Sequence, residues 1–491
     1  MINLHRNFYV ENILSELNYI NSKDYKNLPY SENLNFLDND KLVLIFIDID
    51  RYKNPNNFIK DLNNIKYYQS LNVLILSSKN KLFLDKIEKK INQLNINNLI
   101  LINIYKIGII NPIDITREKI LKTYLKIETQ IELINMINKI TTLFFNKDIR
   151  LISLDLDNTS WNGIVGEDGI NKINLDANQK RSLFILNSLI NKGILLSIHS
   201  KNNKKIALDA IKKKFSAYKY LQKRSFKFIG WESKLKTIKE AVKLVNFSTK
   251  HVIFLDDDIA NIKQVETFLG SNNCLWIKNS YFFYIYIKVI FFINKDKQKN
   301  ITRYKDIKSN LKREKIKTSS GLFAYIRSAK LKVIIKTNQI NYDRCVEMSK
   351  KTNQFNANYK RYEKKDLKKL YADKNFKIVT CSVEDKYSDS GIVGLIVLEK
   401  QINNKYIIDE FTISCRALGR GLENYFIFLI LKKFKMKDLF IKYIKTERNI
   451  PFINFVNSVK KKKTKKMYSI DIVKLNNKVK NYDKWIRSNI N

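Results

Sequence analysis

Two aspartates two residues apart close an apolar run in "LISLDLDNTS", residues 151–160. On a strand, Asp155 and Asp157 project from the same face. Neighbouring carboxylates repel unless a cation joins them or one holds a proton. The hard cation suited to such oxygens is Mg²⁺. One carboxylate of such a pair can attack phosphorus and form an acyl phosphate. The other can protonate the leaving oxygen and later take a proton from water.

Phosphoryl transfer also needs donors for the equatorial oxygens and further ligands for the metal. The sequence supplies them in order. "GILLSIHSKNN" ends an apolar run at Ser200, whose hydroxyl and amide suit phosphate oxygens. "GWESKLKTI" places Lys234 at a helix start, a point charge for the phosphoryl group. "VIFLDDDIAN" ends another run with Asp256, Asp257 and Asp258, three acids that are costly to bury without a cation or solvent. Taken singly, each has a plain structural reading as a cap, a turn or a solvated charge. Their order, each at a strand end or helix start, is what points to one site. Thr159 suits the turn that aims the pair. Gly163, Gly166 and Gly169 suit a loop folding back toward it. His199, beside Ser200, has two readings: an imidazole facing the phosphate as a candidate substrate or acyl-transfer contact, or a residue turned into the core by strand alternation.

A second constellation lies in "YIIDEFTISCRALGRGLENYF". Arg416, Gly419 and Gly421 form R-x-x-G-x-G, with Arg420 between the glycines. Glycines let the backbone approach a ligand closely, and the amides opening the next helix then face an anion. Such a loop suits the pyrophosphate of CoA or the phosphate of a phosphopantetheine arm. Cys415 precedes it, as a small buried residue or a candidate acyl-carrying thiol. Asn353, Gln354 and Asn356 in "TNQFN" form a polar cluster suited to substrate contact or to ordinary turn bonding.

These residues need rigid elements behind them. In residues 1–148, "KLVLIFIDID", "LNVLILSSKN" and "NNLILINIYKI" read as strands buried on both faces, separated by polar helices. Asp48 and Asp50 there lack the following threonine and read as strand-end or turn residues. Thr116 to Phe145 reads as one long helix. Residues 149–293 repeat the alternation with "IRLISLDLD", "GILLSIHS" and "HVIFLDDD". Residues 294–320 read as a charged helical linker. Residues 321–491 carry closer-spaced strands, "LKVIIKT", "FKIVTCSVEDK", "GIVGLIVLEK" and "KYIIDEFTIS", followed by a helix through "GLENYFIFLILKKF". The fold class expected is α/β: a Rossmann-like core between an N-terminal α/β domain and a C-terminal mixed α+β domain. "VKKKKTKK", residues 459–466, reads as a solvated loop.

Composition bounds the function. The 491 residues carry 91 Lys and Arg against 47 Asp and Glu, a net charge of +44. Lys, Asn, Ile and Tyr are abundant throughout while Gly and Pro are few, the mark of an AT-rich codon bias, so the charge alone does not argue for nucleic acid. The basic residues are spread along the chain rather than gathered with aromatics, which disfavours a nucleic-acid partner. The four cysteines have no metal-ligand or disulfide spacing. "YFFYIYIKVIFFI", residues 281–293, is too short to span a bilayer and contains Lys288. It reads as a buried helix. A cytoplasmic protein without a membrane segment is expected.

The four-part pattern resembles the haloacid dehalogenase superfamily of phosphotransferases. It is most similar to the FkbH-like glyceryl-loading branch (subfamily IIIC), through "LDLDNTSWNGIVGEDGI", "SKNN", "WESK" and "FLDDD". The likeness continues in "KKTNQFNANYKRY", "SDSGIVGLIVLE" and "IDEFTISCRALGRGLEN", over roughly residues 150–430. It implies Asp155 as nucleophile, Asp157 as acid/base, and Ser200 and Lys234 as the phosphate-stabilising pair. It also implies Mg²⁺ held by Asp155, Asp256 and the Asp157 carbonyl, supported by Asp257. The C-terminal loop resembles the acetyl-CoA loop of GNAT-type acyltransferases. The implied activity is removal of phosphate from 1,3-bisphosphoglycerate and loading of its glyceryl unit onto an acyl carrier protein in polyketide-type biosynthesis. A plain phosphatase acting on a small phosphorylated metabolite is the alternative. The chain departs from the family at His199, where cysteine is frequent, at Asp258 and Ile259, where Asn and Pro are usual, and at Ser160, where a bulky apolar residue is usual. The phosphoryl motifs are intact, whereas a thiol relay at position 199 is excluded.

Overall fold

The computed structural model describes residues 2–20, 42–52, 54–146, 148–295, 303–402, 405–414, 417–436, 438–464 and 467–490. The chain divides into two compact units, Met1–Tyr304 and Lys305–Asn491.

The first unit holds two parallel sheets. Strands β1 (Ile2–Arg6), β2 (Leu42–Asp48), β3 (Leu71–Ser77) and β4 (Leu99–Asn103) pair in sequence order. Every residue of β2, β3 and β4 is buried, as a sheet covered on both faces requires. The second sheet has the order β7-β6-β5-β8-β9, from β5 (Leu151–Asp155), β6 (Leu195–Ser200), β7 (Ser225–Ile229), β8 (Val252–Asp256) and β9 (Cys274–Trp276). All its pairings are parallel. This is a doubly wound α/β sheet. Strand order reverses between β5 and β8, and ligands of such sheets bind beyond the carboxyl ends of the strands at that switch. Side chains of both sheets and their helices form one continuous apolar core.

The helices start where side chains satisfy their free amides. Asp176 and Gln179 form a capping box before the helix Ala177–Asn191. Ser233 caps the helix Lys234–Val245, and Asp258 caps the helix Ile259–Leu269. The apolar run after residue 280 is the helix Ser280–Asn294, packed on the helix Ala177–Asn191. No helix among the described residues is long and apolar enough to cross a membrane.

The second unit is built on an eight-stranded mixed sheet of order β15-β16-β14-β13-β12-β11-β10-β17. Its antiparallel centre comprises β10 (Lys332–Thr337), β11 (Phe376–Asp385), β12 (Ser388–Lys400) and β13 (Lys405–Ile413). Strand β14 (Asp438–Ile441) joins β13 in parallel, and β17 (Arg487–Ile490) joins β10 in parallel. The α/β class and the mixed second part agree with the sequence.

Local expectations fail in two places. Residues 116–145 are not one helix. A 3-10 turn Ile115–Arg117 and a short helix Glu118–Leu121 come first, Lys122 takes a left-handed φ of 56°, and only Ile127–Phe145 is a long helix. The lysine run holds a strand, β15 (Lys460–Thr464), paired with β16 (Met467–Ile470). It lies at the sheet's edge, the position where lysines are tolerated and discourage further pairing. The charged stretch expected as a linker is helical from Arg303, and the helix Arg303–Ser328 is interrupted at Gly321, φ 81°.

Candidate functional site

The site forms at the carboxyl ends of β5 and β8. Asp155 is the last residue of β5 and Asp256 the last of β8. Asp257 follows in the turn before the helix capped by Asp258. One oxygen from each of Asp155, Asp256 and Asp257 lies within 4.8 Å of the others. Asp155 and Asp256 are buried and Asp257 is half-buried.

One cation reaches this group. Lys234, at the first turn of its helix and itself buried, donates to Asp155 Oδ1 and to the His199 carbonyl at 2.9 Å. Its Nζ is 3.1 Å from Asp256 Oδ2. Burial would lower the Lys234 value, but Asp155 and Asp256 outweigh it and the net shift is upward. Burial pushes the Asp155 carboxyl well up, Lys234 pulls it down, and Asp256 adds to the rise. Asp257 is raised by burial and then by Asp256. Counted as ionised, three carboxylates against one ammonium leave two negative charges in a buried space. Asp256 Oδ2 receives no hydrogen bond of good geometry. An excess of two charges, an all-oxygen donor set and an unsatisfied buried oxygen fit a hard divalent cation such as Mg²⁺.

Asp157 is placed differently. Its Oδ1 accepts from Trp161 Nε1 at 2.8 Å and from the Val165 amide at 3.0 Å. Its Oδ2 accepts from Asn202 Nδ2 at 2.6 Å. The side chain is therefore fixed by donors and stands apart from the three carboxylates. Asn202 also donates to Ser200 Oγ at 2.7 Å, so one amide ties the β5 loop to the end of β6. Thr159 Oγ1 donates to Asp257 Oδ1 at 3.1 Å, which joins the β5 loop to the β8 loop. Sequence reasoning assigns a role to neither Trp161 nor Asn202. Both sit inside the motifs above, yet nothing in their types marks them as partners of Asp157.

The glycines explain the loop's shape. Gly163 has φ 97°, and a Cβ there would stand 2.8 Å from Asp168 Oδ2. A Cβ on Gly166 would stand 3.1 Å from Asn202 Oδ1. The loop folds back tightly enough to bring the Val165 amide onto Asp157, and side chains would obstruct it.

His199 requires a correction as a candidate substrate or acyl-transfer contact. Its imidazole is fully buried, stacked on Phe228 with ring centroids 5.1 Å apart. Nδ1 is 3.0 Å from Thr237 Oγ1 and Nε2 is 2.9 Å from Ser197 Oγ. Burial, then the charge of Lys234, hold its value well below the ordinary histidine range, so the ring is neutral. Alternation along β6 turns it inward while Ser200 stays at the strand end. Only its backbone carbonyl serves the site.

The C-terminal constellation is described in part. Cys415 and Arg416 lie outside the described residues. Gly419 and Gly421 have φ of 75° and 72°, the left-handed region glycine favours. The Gly419 amide donates to Glu423 Oε1 at 3.1 Å, so this amide faces a carboxylate of its own helix, Glu423–Phe434. Arg420 is buried, donates to Ser390 Oγ at 3.1 Å and lies 3.7 Å from Asp385, while its Nε and Nη1 have no hydrogen-bond partner. Asp385 in turn receives two bonds from buried Arg313, at 2.7 and 2.8 Å. The TNQFN cluster follows its turn-bonding reading. Asn356 is buried, bonding the Thr352 carbonyl and the Tyr359 amide, and Asn353 Oδ1 accepts from Arg361. Gln354 makes internal interactions too. In the N-terminal sheet, Asp48 and Asp50 are turn residues as expected: Asp48 accepts from the Asp50 amide, and Asp50 from Ser78 Oγ.

No family model and no curated protein matches the chain. Among solved structures, the chain is similar to the N-terminal part of the protein BF1531 from Bacteroides fragilis, described as containing a phosphatase domain complexed with Mg. That match has 15% identity, covers 60% of this chain and 92% of the other, and has a TM-score of 0.32. A putative 3-deoxy-D-manno-octulosonate 8-phosphate phosphatase from Vibrio cholerae matches at 15% identity over 33% of this chain and 93% of its own, TM-score 0.24. The Moraxella catarrhalis 3-deoxy-D-manno-octulosonate 8-phosphate phosphatase, in complex with magnesium ion, phosphate ion and KDO molecule, matches at 18% identity over 26% and 67%, TM-score 0.20. These likenesses are remote, and the functional reading rests on the geometry of the site.

Proposed function

We propose that the chain is a Mg²⁺-dependent phosphohydrolase of the haloacid dehalogenase type. The observation that carries this is the buried group of Asp155, Asp256 and Asp257 around one lysine at the switch point of a doubly wound sheet. Asp155, Asp256 and Asp257 would hold Mg²⁺, which when bound neutralises carboxylate and phosphoryl charge. Asp155 is the nucleophile: a carboxylate oxygen attacks phosphorus and the bond to the leaving oxygen breaks. Asp157, fixed by Trp161, Val165 and Asn202, supplies the proton to that oxygen and then takes one from the water that hydrolyses the aspartyl phosphate. Lys234 and Ser200 hold the phosphoryl oxygens, with Asn202 positioning Ser200. The test is phosphate release from p-nitrophenyl phosphate with Mg²⁺. Release that stops with EDTA and in Asp155→Asn supports the reading; release unaffected by both overturns it.

The finer reading is loading of a glyceryl unit from 1,3-bisphosphoglycerate onto an acyl carrier protein. It is supported by the run of family-like motifs through residue 430 and by a basic surface suited to an acidic carrier. Two observations bear on its acyl step. The described cysteines, Cys274, Cys345 and Cys381, are buried. Burial pushes the Cys274 thiol up to about 12 and Cys345 up to about 11, and raises Cys381 as well. Binding of CoA or phosphopantetheine at the Gly419 amide would require Glu423 to release it. Intact-mass analysis of a holo carrier protein incubated with the enzyme, Mg²⁺ and 1,3-bisphosphoglycerate decides between the readings. A glyceryl adduct supports loading. Phosphate release without an adduct leaves the plain phosphatase.

A further inference from the structure

The most apolar helix of the chain, Ser280–Asn294, contains a single charged residue, Lys288. Lysine is among the residue types least often buried. Here it is half-buried, and its hydrogen bond to the Ile96 carbonyl is a long one, 3.4 Å. That contact engages one of the three ammonium donors and leaves the others to water or a ligand. The side chain lines a cavity of about 540 Å³ in the first unit, between the β4 end of the N-terminal sheet and the helices Ala177–Asn191 and Ser280–Asn294.

The cavity's lining repeats the same imbalance. Arg181 and Lys180 also contribute to it, and no acidic residue does. Among the described residues no carboxylate forms an ion pair with Lys288 or Arg181. Both cations approach one ring: Arg181 and Lys288 each lie 5.8 Å from the centroid of Tyr284. Burial, then the charge of Arg181, bring the Lys288 value down to about 8. Phe291 and Tyr218 add apolar wall, and Phe184 stands 69% exposed beside them. None of Asp155, Asp157, Ser200, Lys234, Asp256 or Asp257 lines this space.

We propose that this cavity is a binding site for a small organic anion with a flat apolar body, its charge on Lys288 and Arg181 and its body against Tyr284, Phe184 and Phe291. The volume is that of a small-ligand pocket, and the pattern of an apolar wall with a few convergent polar groups is the one such pockets share. The anion balances the charge of a half-buried ammonium, and the rings supply stacking area. Lysine abundance alone does not account for it, because composition bias places lysines in water and not on the inner face of an apolar helix.

The test uses the full chain and two dyes of one shape, anionic 8-anilinonaphthalene-1-sulfonate and uncharged N-phenyl-1-naphthylamine. The anionic dye is expected to bind at one saturable site. Its affinity should fall roughly tenfold or more in Lys288→Met, in Lys288→Glu and in Arg181→Gln, while the uncharged dye moves little. Lys288→Met removes a buried charge from an apolar helix, so its thermal midpoint should not fall. Asp155→Asn should bind the dye as the wild type does, which separates this site from the phosphohydrolase reading. An aromatic phosphate or carboxylate should displace the dye and inorganic phosphate should not. Unsaturable binding, equal affinity in all three variants, or displacement by inorganic phosphate alone would overturn the proposal.

Discussion

Two strand-to-helix junctions carry the chain's strongest motifs, and they end differently. After β8, Asp258 caps its helix, while Asp256 and Asp257 turn toward Asp155 and keep more negative charge than Lys234 cancels. After β13, the glycine turn has the backbone freedom a phosphate loop needs, but its charged groups are set against groups of the protein, with Nε and Nη1 of Arg420 left without hydrogen-bond partners. Glu423 takes the Gly419 amide, and Arg420 is buried beside Ser390 and Asp385. Motif and backbone are therefore not sufficient to mark a site. What distinguishes the first junction is three carboxylates converging on one point with one lysine to balance them.

The sharpest way to break this comparison is Asp155→Asn. If the first junction is catalytic, phosphate release should drop at least about a thousandfold, with the thermal midpoint unchanged or raised, since a buried carboxylate has been neutralised. At the second junction the expected loss is stability. Arg313→Ala removes two charged hydrogen bonds from the buried Asp385 carboxylate, which keeps the Tyr387 and Ser388 amides and Tyr325, and should lower unfolding free energy by about 1.5–3 kcal/mol, read by urea denaturation, with phosphate release per folded molecule preserved.

Asn202→Ala sharpens the first half. It removes the amide that holds both Asp157 and Ser200, and turnover should fall about 10–100-fold, as for lost outer partners of reacting groups. The loss should fall on kcat rather than on KM; an unchanged kcat with a lowered thermal midpoint would reduce Asn202 to a structural role. Gly421→Ala is the smaller counterpart. With φ 72° and Leu322 Cδ2 only 2.9 Å from a Cβ there, it should cost about 1–2 kcal/mol.

The smallest effect is on pH. Burial alone would raise Asp385, but the hydrogen bonds and charge of Arg313 outweigh it and hold the carboxyl below its ordinary value. Its folded value is therefore below its unfolded one. The stability it contributes is complete above about pH 4 and is lost as pH falls through the folded value. Asp385→Asn should flatten that acid limb of a stability-against-pH curve.

The parallel strands β2, β3, β5, β6 and β8 are legible in the sequence because a continuous apolar run ending in Asp or Ser suits little besides a strand covered on both faces. Asp155, Ser200, Lys234 and Asp256 can be placed together because each ends a strand or starts a helix. The short strands β7, β9 and β14 are not legible, since five or fewer residues among lysines leave little periodicity. The partners of Asp157 are hidden for a different reason. Trp161 and Asn202 reach it only through a turn made possible by Gly163 and Gly166, and spacing does not encode that turn. Arg420 invites a ligand-facing reading because a local pattern cannot show which way an arginine points.

The inward imidazole of His199 has a consequence for how the sheet is wired. Thr237 gives its one hydroxyl hydrogen to the Lys234 carbonyl at 3.0 Å, so it can only accept from His199 Nδ1. The ring is then the Nδ1–H tautomer, and Nε2 must accept from Ser197. Ser197, having given its hydrogen, accepts from Ser153, 2.9 Å away on β5. Every hydrogen in this chain from β5 to the helix of Lys234 has one direction, and adding a proton anywhere would reverse a bond. Such a chain acts as a polarity lock: it registers the lysine's helix against the sheet and gives the site no positive charge that varies between pH 5 and 8.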